Sequence, residues 1–126
     1  MTIKSCRKWL RILNSNITTA LLLFLLSHII IWLQVNGQFV WPWAKDNPLL
    51  MSLMGFPISY LLIMATKYIV EGFNGLLWPG RLVGFGSGIM IMAILTWYFL
   101  GEGISTKTLV SITLATVLCC IQVFWK

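Results

Sequence analysis

His28 is the one ionisable side chain deep inside an apolar stretch of this 126-residue chain, the run from Ile17 to Val35. An imidazole exchanges a proton near neutral pH, and ionisable groups in such stretches usually face a polar interior. His28 is therefore a candidate proton or substrate site. The structural alternative is a neutral ring bonded to a nearby hydroxyl or carbonyl, with Ser27, Ser59, Thr96 or a similar group as the partner. Trp32, Tyr60, Phe85, Trp97 and Tyr98 could offer ring faces to an apolar or cationic compound. Tyr60 and Trp97 are taken with His28 as the candidate site, against ordinary packing and interfacial anchoring as the plainer reading.

Other chemistry is thinly provided for. The acids are Asp46, Glu71 and Glu102, all near predicted loops or helix ends, so no carboxylate pair faces across a cavity for acid and base work. One histidine and the dispersed Cys6, Cys119 and Cys120 lack metal-ligand spacing. The chain reads as no enzyme, with no cofactor and no metal. The stretch from Arg81 to Ile91 looks like a phosphate loop, but Gly84, Gly86 and Gly88 have neither the dinucleotide spacing nor a following lysine. Gly80, Gly84 and Gly88 instead fall four apart on one helical face, as small residues do at close helix contacts. Ser111, Ala115 and Cys119 make a similar stripe further on. These two faces are the expected helix contacts, within or between subunits.

The elements that must carry these residues follow from hydropathy. Hydrophobic residues make up 59% of the chain and charged ones 10%, far from the roughly 25% charged of soluble domains. Four apolar segments, 17–35, 49–70, 82–100 and 108–125, are long enough to cross a hydrocarbon core of about 30 Å at about 1.5 Å per residue. None shows the period-two alternation of a barrel strand. The expectation is an all-α, four-transmembrane-helix bundle forming a single integral membrane domain over 1–126. Pro57 falls inside the second span and is expected to kink it. Connections are expected around 36–48, with Asn47 before Pro48 starting a helix, around 71–80, with the Pro79-Gly80 pair, and around 101–107, with Ser105 or Thr106 capping the last helix.

The net charge is +6, and its distribution matters more than its sum. Lys4, Arg7, Lys8, Arg11, Lys67, Arg81 and Lys126 fall on the N-terminal side of the expected bundle and only Lys45 and Lys107 on the other, seven against two. The positive-inside rule then places both termini in the cytoplasm. The basic arm 1–16 is expected to rest on membrane lipids as a short interfacial helix, with Arg7, Lys8, Arg11 and Arg81 as headgroup anchors and no nucleic-acid partner. The first apolar run exceeds a signal-peptide core and reads as a retained helix. Lys67 and Glu71, four apart, could pair, although snorkelling to the interface is the simpler account of Lys67. Tryptophans fall near both expected interfaces, as an aromatic belt does.

The segment from Leu77 to Phe124, above all Trp97-Tyr98-Phe99-Leu100-Gly101-Glu102 followed by a polar turn and a final apolar helix, resembles the terminal hairpin of the drug/metabolite transporter superfamily. In length the chain is most similar to its four-helix small multidrug resistance branch. The resemblance spans 48 of the 126 residues. It implies a bacterial-type inner-membrane transporter that works as a dimer and exchanges a small cationic or polar compound for protons by alternating access. That branch carries a membrane-embedded glutamate in its first helix. Here no glutamate lies between Ile17 and Val35, and Ser27 and His28 occupy that depth. The charge bias disfavours an antiparallel pair, so a parallel homo-oligomer or a larger membrane partner is expected. The alternative to transport is a non-transporting accessory or assembly subunit of a larger membrane complex.

Overall fold

A computed structural model describes residues 3–125, with the side chains at 5 and 8–14 outside that description. Among the described residues the chain forms α1 (Ile3–Val40), α2 (Pro42–Asp46), α3 (Pro48–Ser52), α4 (Gly55–Gly72), α5 (Leu77–Leu100) and α6 (Thr106–Phe124). Four stretches are long and apolar enough to span a bilayer: Ser15–Val40, Pro48–Gly72, Leu77–Leu100 and Thr106–Phe124. The chain is a multi-pass membrane protein of the all-α class, a four-helix bundle. The anchors Lys8 and Arg11, as well as Lys126, lie outside the described side chains, whereas Arg7 is exposed on α1.

The basic arm and the first span are one helix. No proline or glycine interrupts the sequence from Ile3 to Asn36, so nothing breaks the hydrogen-bond ladder where the composition changes from basic to apolar. At about 1.5 Å per residue the helix runs well past the hydrocarbon core at its basic end. It also continues to Val40, through what was expected to be loop, and the rest of that connection is taken up by α2 and α3. Each of these starts with proline at its first position, and Asn47 precedes the second.

The second span is interrupted, but not at Pro57. The break lies at Leu53 and Met54, and Pro57 sits in the first turn of α4. Proline cannot donate to the carbonyl four residues back, which here belongs to Leu53. That carbonyl accepts from the Phe56 N–H at 3.3 Å instead, and Met54 N–H bonds Met51 O at 3.2 Å, both tighter i to i+3 links. The kink that proline causes is thus displaced one turn toward the N-terminus. The same rule moves the next boundary. Pro79 and Gly80, expected in a loop, lie inside α5, because proline in a first turn forfeits a bond that no helix makes there. The turn before α5 is carried by Asn74 and Gly75, both at positive φ.

The last two helices form a hairpin. Gly101, at φ 63, closes α5 with its N–H bonded to Trp97 O, a left-handed cap that glycine adopts without steric cost. Ser105 caps α6, its Oγ accepting from the Thr108 N–H at 3.2 Å.

Helix α1 is central. Both α4 and α5 pack along it, α6 packs against α5, and α4 meets α5 more sparsely. Ala20, Phe24, Ala65, Ile69 and Val83 form the buried core between α1, α4 and α5. On α6 only Ala115 is buried. Every buried side-chain nitrogen or oxygen among the described residues has a hydrogen-bond partner. Ser27 and Ser87 satisfy themselves locally, on Leu23 O at 2.7 Å and Gly84 O at 2.9 Å, as polar groups in a bilayer must.

Where α4 approaches α5, a Cβ on Gly80 would lie 2.5 Å from Cγ2 of the buried Ile69. Gly80→Val is therefore expected to destabilise the bundle by about 1–3 kcal/mol, the usual cost of overfilling a packed core. At Gly103 a Cβ meets nothing within 4 Å, and Gly103→Ala should shift stability by less than about 0.5 kcal/mol. Unfolding in detergent compares the two, and equal stability would mean that the helices are not in tight contact at Gly80.

Candidate functional site

Phe24, His28 and Trp32 recur every four residues on α1 and so share one face. That face lies on the start and middle of α5, which runs parallel to α1. A Cβ on Gly84 would lie 3.1 Å from the Phe24 ring, and one on Gly88 would lie 2.8 Å from Nε2 of His28. One step further along, Trp32 Nε1 donates to Thr96 Oγ1 at 3.0 Å, and its ring stacks on Phe99 with centroids 5.2 Å apart. Three large side chains of α1 thus occupy space that α5 leaves free by carrying glycine, glycine and a small hydroxyl residue.

The hydrogen bonding of His28 is defined by its own helix. Nδ1 lies 2.7 Å from the Phe24 carbonyl oxygen, which can only accept, so Nδ1 carries the proton. In the neutral ring Nε2 then presents its lone pair toward α5, where Gly88 leaves room for it. The partner is thus a nearby carbonyl, as the structural alternative allowed, and not the hydroxyl of Ser27, Ser59 or Thr96. Ser27 and Thr96 are engaged elsewhere, on Leu23 O and by Trp32.

His28 stands between two clefts. One, of about 330 Å³, lies toward the C-terminal end of α1 and is lined by His28, Trp32, Asn36, Phe85, Gly88 and Met92 among others. The other, of about 800 Å³, lies toward the N-terminal end between α4 and α5, with Phe24 and His28 on its floor and Thr66 and Arg81 in its walls. Both volumes fall within the roughly 300–1,000 Å³ of small-molecule sites. His28 and Phe85 border both clefts. A third cleft of about 230 Å³, between α5 and α6, includes Thr96, Glu102, Thr108 and Ser111.

The residues proposed from sequence are only partly brought together. Tyr60 and Trp97 are 65% and 55% exposed and border none of these clefts, so neither stands with His28. Gly80, Gly84 and Gly88 contact Ile69, Phe24 and His28, which places the glycine face against α4 and α1. The stripe on α6 meets a different face of α5. A Cβ on Gly86 would collide with Cys119 Sγ and lie 3.1 Å from the Ala115 carbonyl oxygen, while Cys119 Sγ points to Val83 O at 3.8 Å. Ser111 is exposed and bonds back to Lys107 O at 3.0 Å. Among the described residues Lys67 and Glu71 form no ion pair. Sequence reasoning missed Phe24, whose carbonyl orients His28 and whose ring fills the gap above Gly84. The signal was present as large residues at 24, 28 and 32 in the register of glycines at 84 and 88.

No family model matches the chain, and neither does any curated protein or solved structure.

The Trp32–Thr96 bond is expected to carry a coupling of about 0.6 kcal/mol, typical of interhelical side-chain bonds in membranes. A double-mutant cycle of Trp32→Phe and Thr96→Val, read by unfolding in detergent, measures it. Strict additivity would show that the indole contributes through ring packing alone.

Proposed function

We propose that the chain is a small-molecule transporter of the four-helix drug/metabolite type, working as an oligomer, with His28 as the polar group that substrate or proton meets between two clefts. The observation that carries this reading is the position of His28. It is held by the Phe24 carbonyl, turned toward α5, and bordered by a cleft on either side. A group in that position can exchange a proton with one cleft and then the other when α1 and α5 shift, which is what alternating access requires. The contact between them suits such a shift, since glycines at 84 and 88 offer smooth backbone. Below His28, Phe24 on Gly84 closes the seam; above it, the Trp32–Thr96 bond does so. No group in this arrangement is asked to do covalent chemistry, and the proposed activity needs neither a metal nor a cofactor.

An accessory subunit is the second reading, and α6 favours it. Apart from Ala115 the helix buries none of its side chains, and Leu109, Val110, Leu114, Val117 and Ile121 are all exposed. Such a face is available for a second copy in parallel orientation or for a larger membrane partner, as well as for lipid.

Reconstituted vesicles holding a pH-sensitive dye separate the two. A panel of quaternary ammonium and zwitterionic compounds is expected to include at least one that drives proton counterflow in wild type. His28→Ala is expected to remove the dependence of that flux on pH across the range of about 5 to 8 where imidazole titrates. Silence for every compound, together with co-purification of a larger partner, would sink the transport reading, and undiminished pH dependence in His28→Ala would remove His28 from it.

A further inference from the structure

The larger cleft has a polarity of its own that runs along the membrane normal. Its walls are the facing sides of α4 and α5, and Leu62, Ile63, Leu82 and Phe85 make them apolar, with Phe24 below. The polar side chains at its border are Thr66, Arg81 and His28. On α5 the lining extends from Leu77 to Phe85, a rise of about 12 Å, with Arg81 about 6 Å from the start of the helix. That is the depth at which a long cationic side chain reaches the headgroup region while its stem stays in hydrocarbon. Arg81 is exposed and has no ion-pair partner among the described residues. The groove therefore presents an exposed guanidinium at its shallow end and, deeper, apolar walls that run down to Phe24 and the half-buried His28 ring. It is open toward the bilayer because α4 and α5 meet only sparsely.

We infer that this groove binds one anionic phospholipid, with its phosphate on Arg81 and one acyl chain lying between α4 and α5 toward Phe24. Charge complementarity selects the occupant. A guanidinium offers a planar fork of donors that matches phosphate oxygens two at a time, and the surrounding leaflet supplies phosphates at this depth. Thr66, on the opposite wall, adds a hydroxyl able to donate to the same headgroup or its ester oxygens. An apolar chain alone would satisfy the deep end and leave Arg81 unpaired. A free phosphate would pair Arg81 and leave the walls unfilled. The inference does not depend on transport, because binding is read without flux.

Native mass spectrometry of the detergent-purified chain, titrated with phosphatidylglycerol or phosphatidylcholine of identical acyl chains, tests it. Wild type is expected to retain one phosphatidylglycerol in clear preference to phosphatidylcholine. Arg81→Gln should lower that retention about five-fold, and Arg81→Lys, which keeps the charge without the fork, should fall between. Thr66→Phe, which fills the groove, should reduce retention of both lipids. Lys67→Gln, a nearby exposed cation that does not border the groove, should leave it unchanged. Circular dichroism confirms that each variant keeps its helices. Equal retention of the two lipids by wild type, unchanged retention in Arg81→Gln, or an equal loss in Lys67→Gln would each overturn the site, as would displacement of the lipid by inorganic phosphate alone.

Discussion

Helices in a bilayer gain little by burying apolar side chains against each other, because lipid tails are equally apolar; what holds them is close fit and the bonds that closeness permits. In this chain the fit is concentrated where α1 lies on α5. Phe24, His28 and Trp32 present bulk every four residues, and Gly84, Gly88 and Thr96 yield space to them. Without the two glycines the axes would have to separate. The rings would then lose their seats, and the Trp32–Thr96 bond would stretch. The hairpin depends on the same helix from its other side, since α6 reaches the bundle through Gly86, Ala115 and Cys119.

A bundle centred on one helix has consequences for shape. With α4 and α5 each packed on α1 but only lightly on each other, the space between them remains a groove, and α6 stands at the far edge. A closed square of four helices would have buried most of these surfaces. Here a large apolar area stays available to lipid or partner, and among the described residues every buried side-chain nitrogen or oxygen has a hydrogen-bond partner. His28 is half-buried. Its Nδ1 is committed to its own helix, so only Nε2 is free to interact across the interface.

Local rules accounted for many of the features, and where they erred the reason is specific. Asn47 and Pro48 start a helix, and Ser105 caps one, as their chemistry requires. Pro57 signalled a disturbance, but its effect falls on the carbonyl four residues earlier, so the break appears at Leu53 and Met54. Pro79-Gly80 reads as a loop by composition, yet proline early in a first turn is as compatible with a helix as with a turn, and the contact of Gly80 with Ile69 favours the helix. At the candidate site, His28 stood out in the sequence because a lone ionisable group in an apolar run is costly to keep. Tyr60 and Trp97 were not separable from anchoring rings by sequence, and both face outward.

By itself the sequence determined that there are four crossings and that they are helices. The bilayer imposes a length on every span and requires each backbone bond to be made within it, so hydropathy and length suffice. It also determined that small residues recur at helical spacing on both α5 and α6. Which neighbour each small residue would meet was decided only by the tertiary structure. Glycines at 80, 84, 86 and 88 occupy two faces of one helix, and a helical period reports which residues share a face but not what lies opposite. Once α1 took the face of Gly84 and Gly88, α6 was left with Gly86, and His28 came to rest between two clefts that no single helix contains.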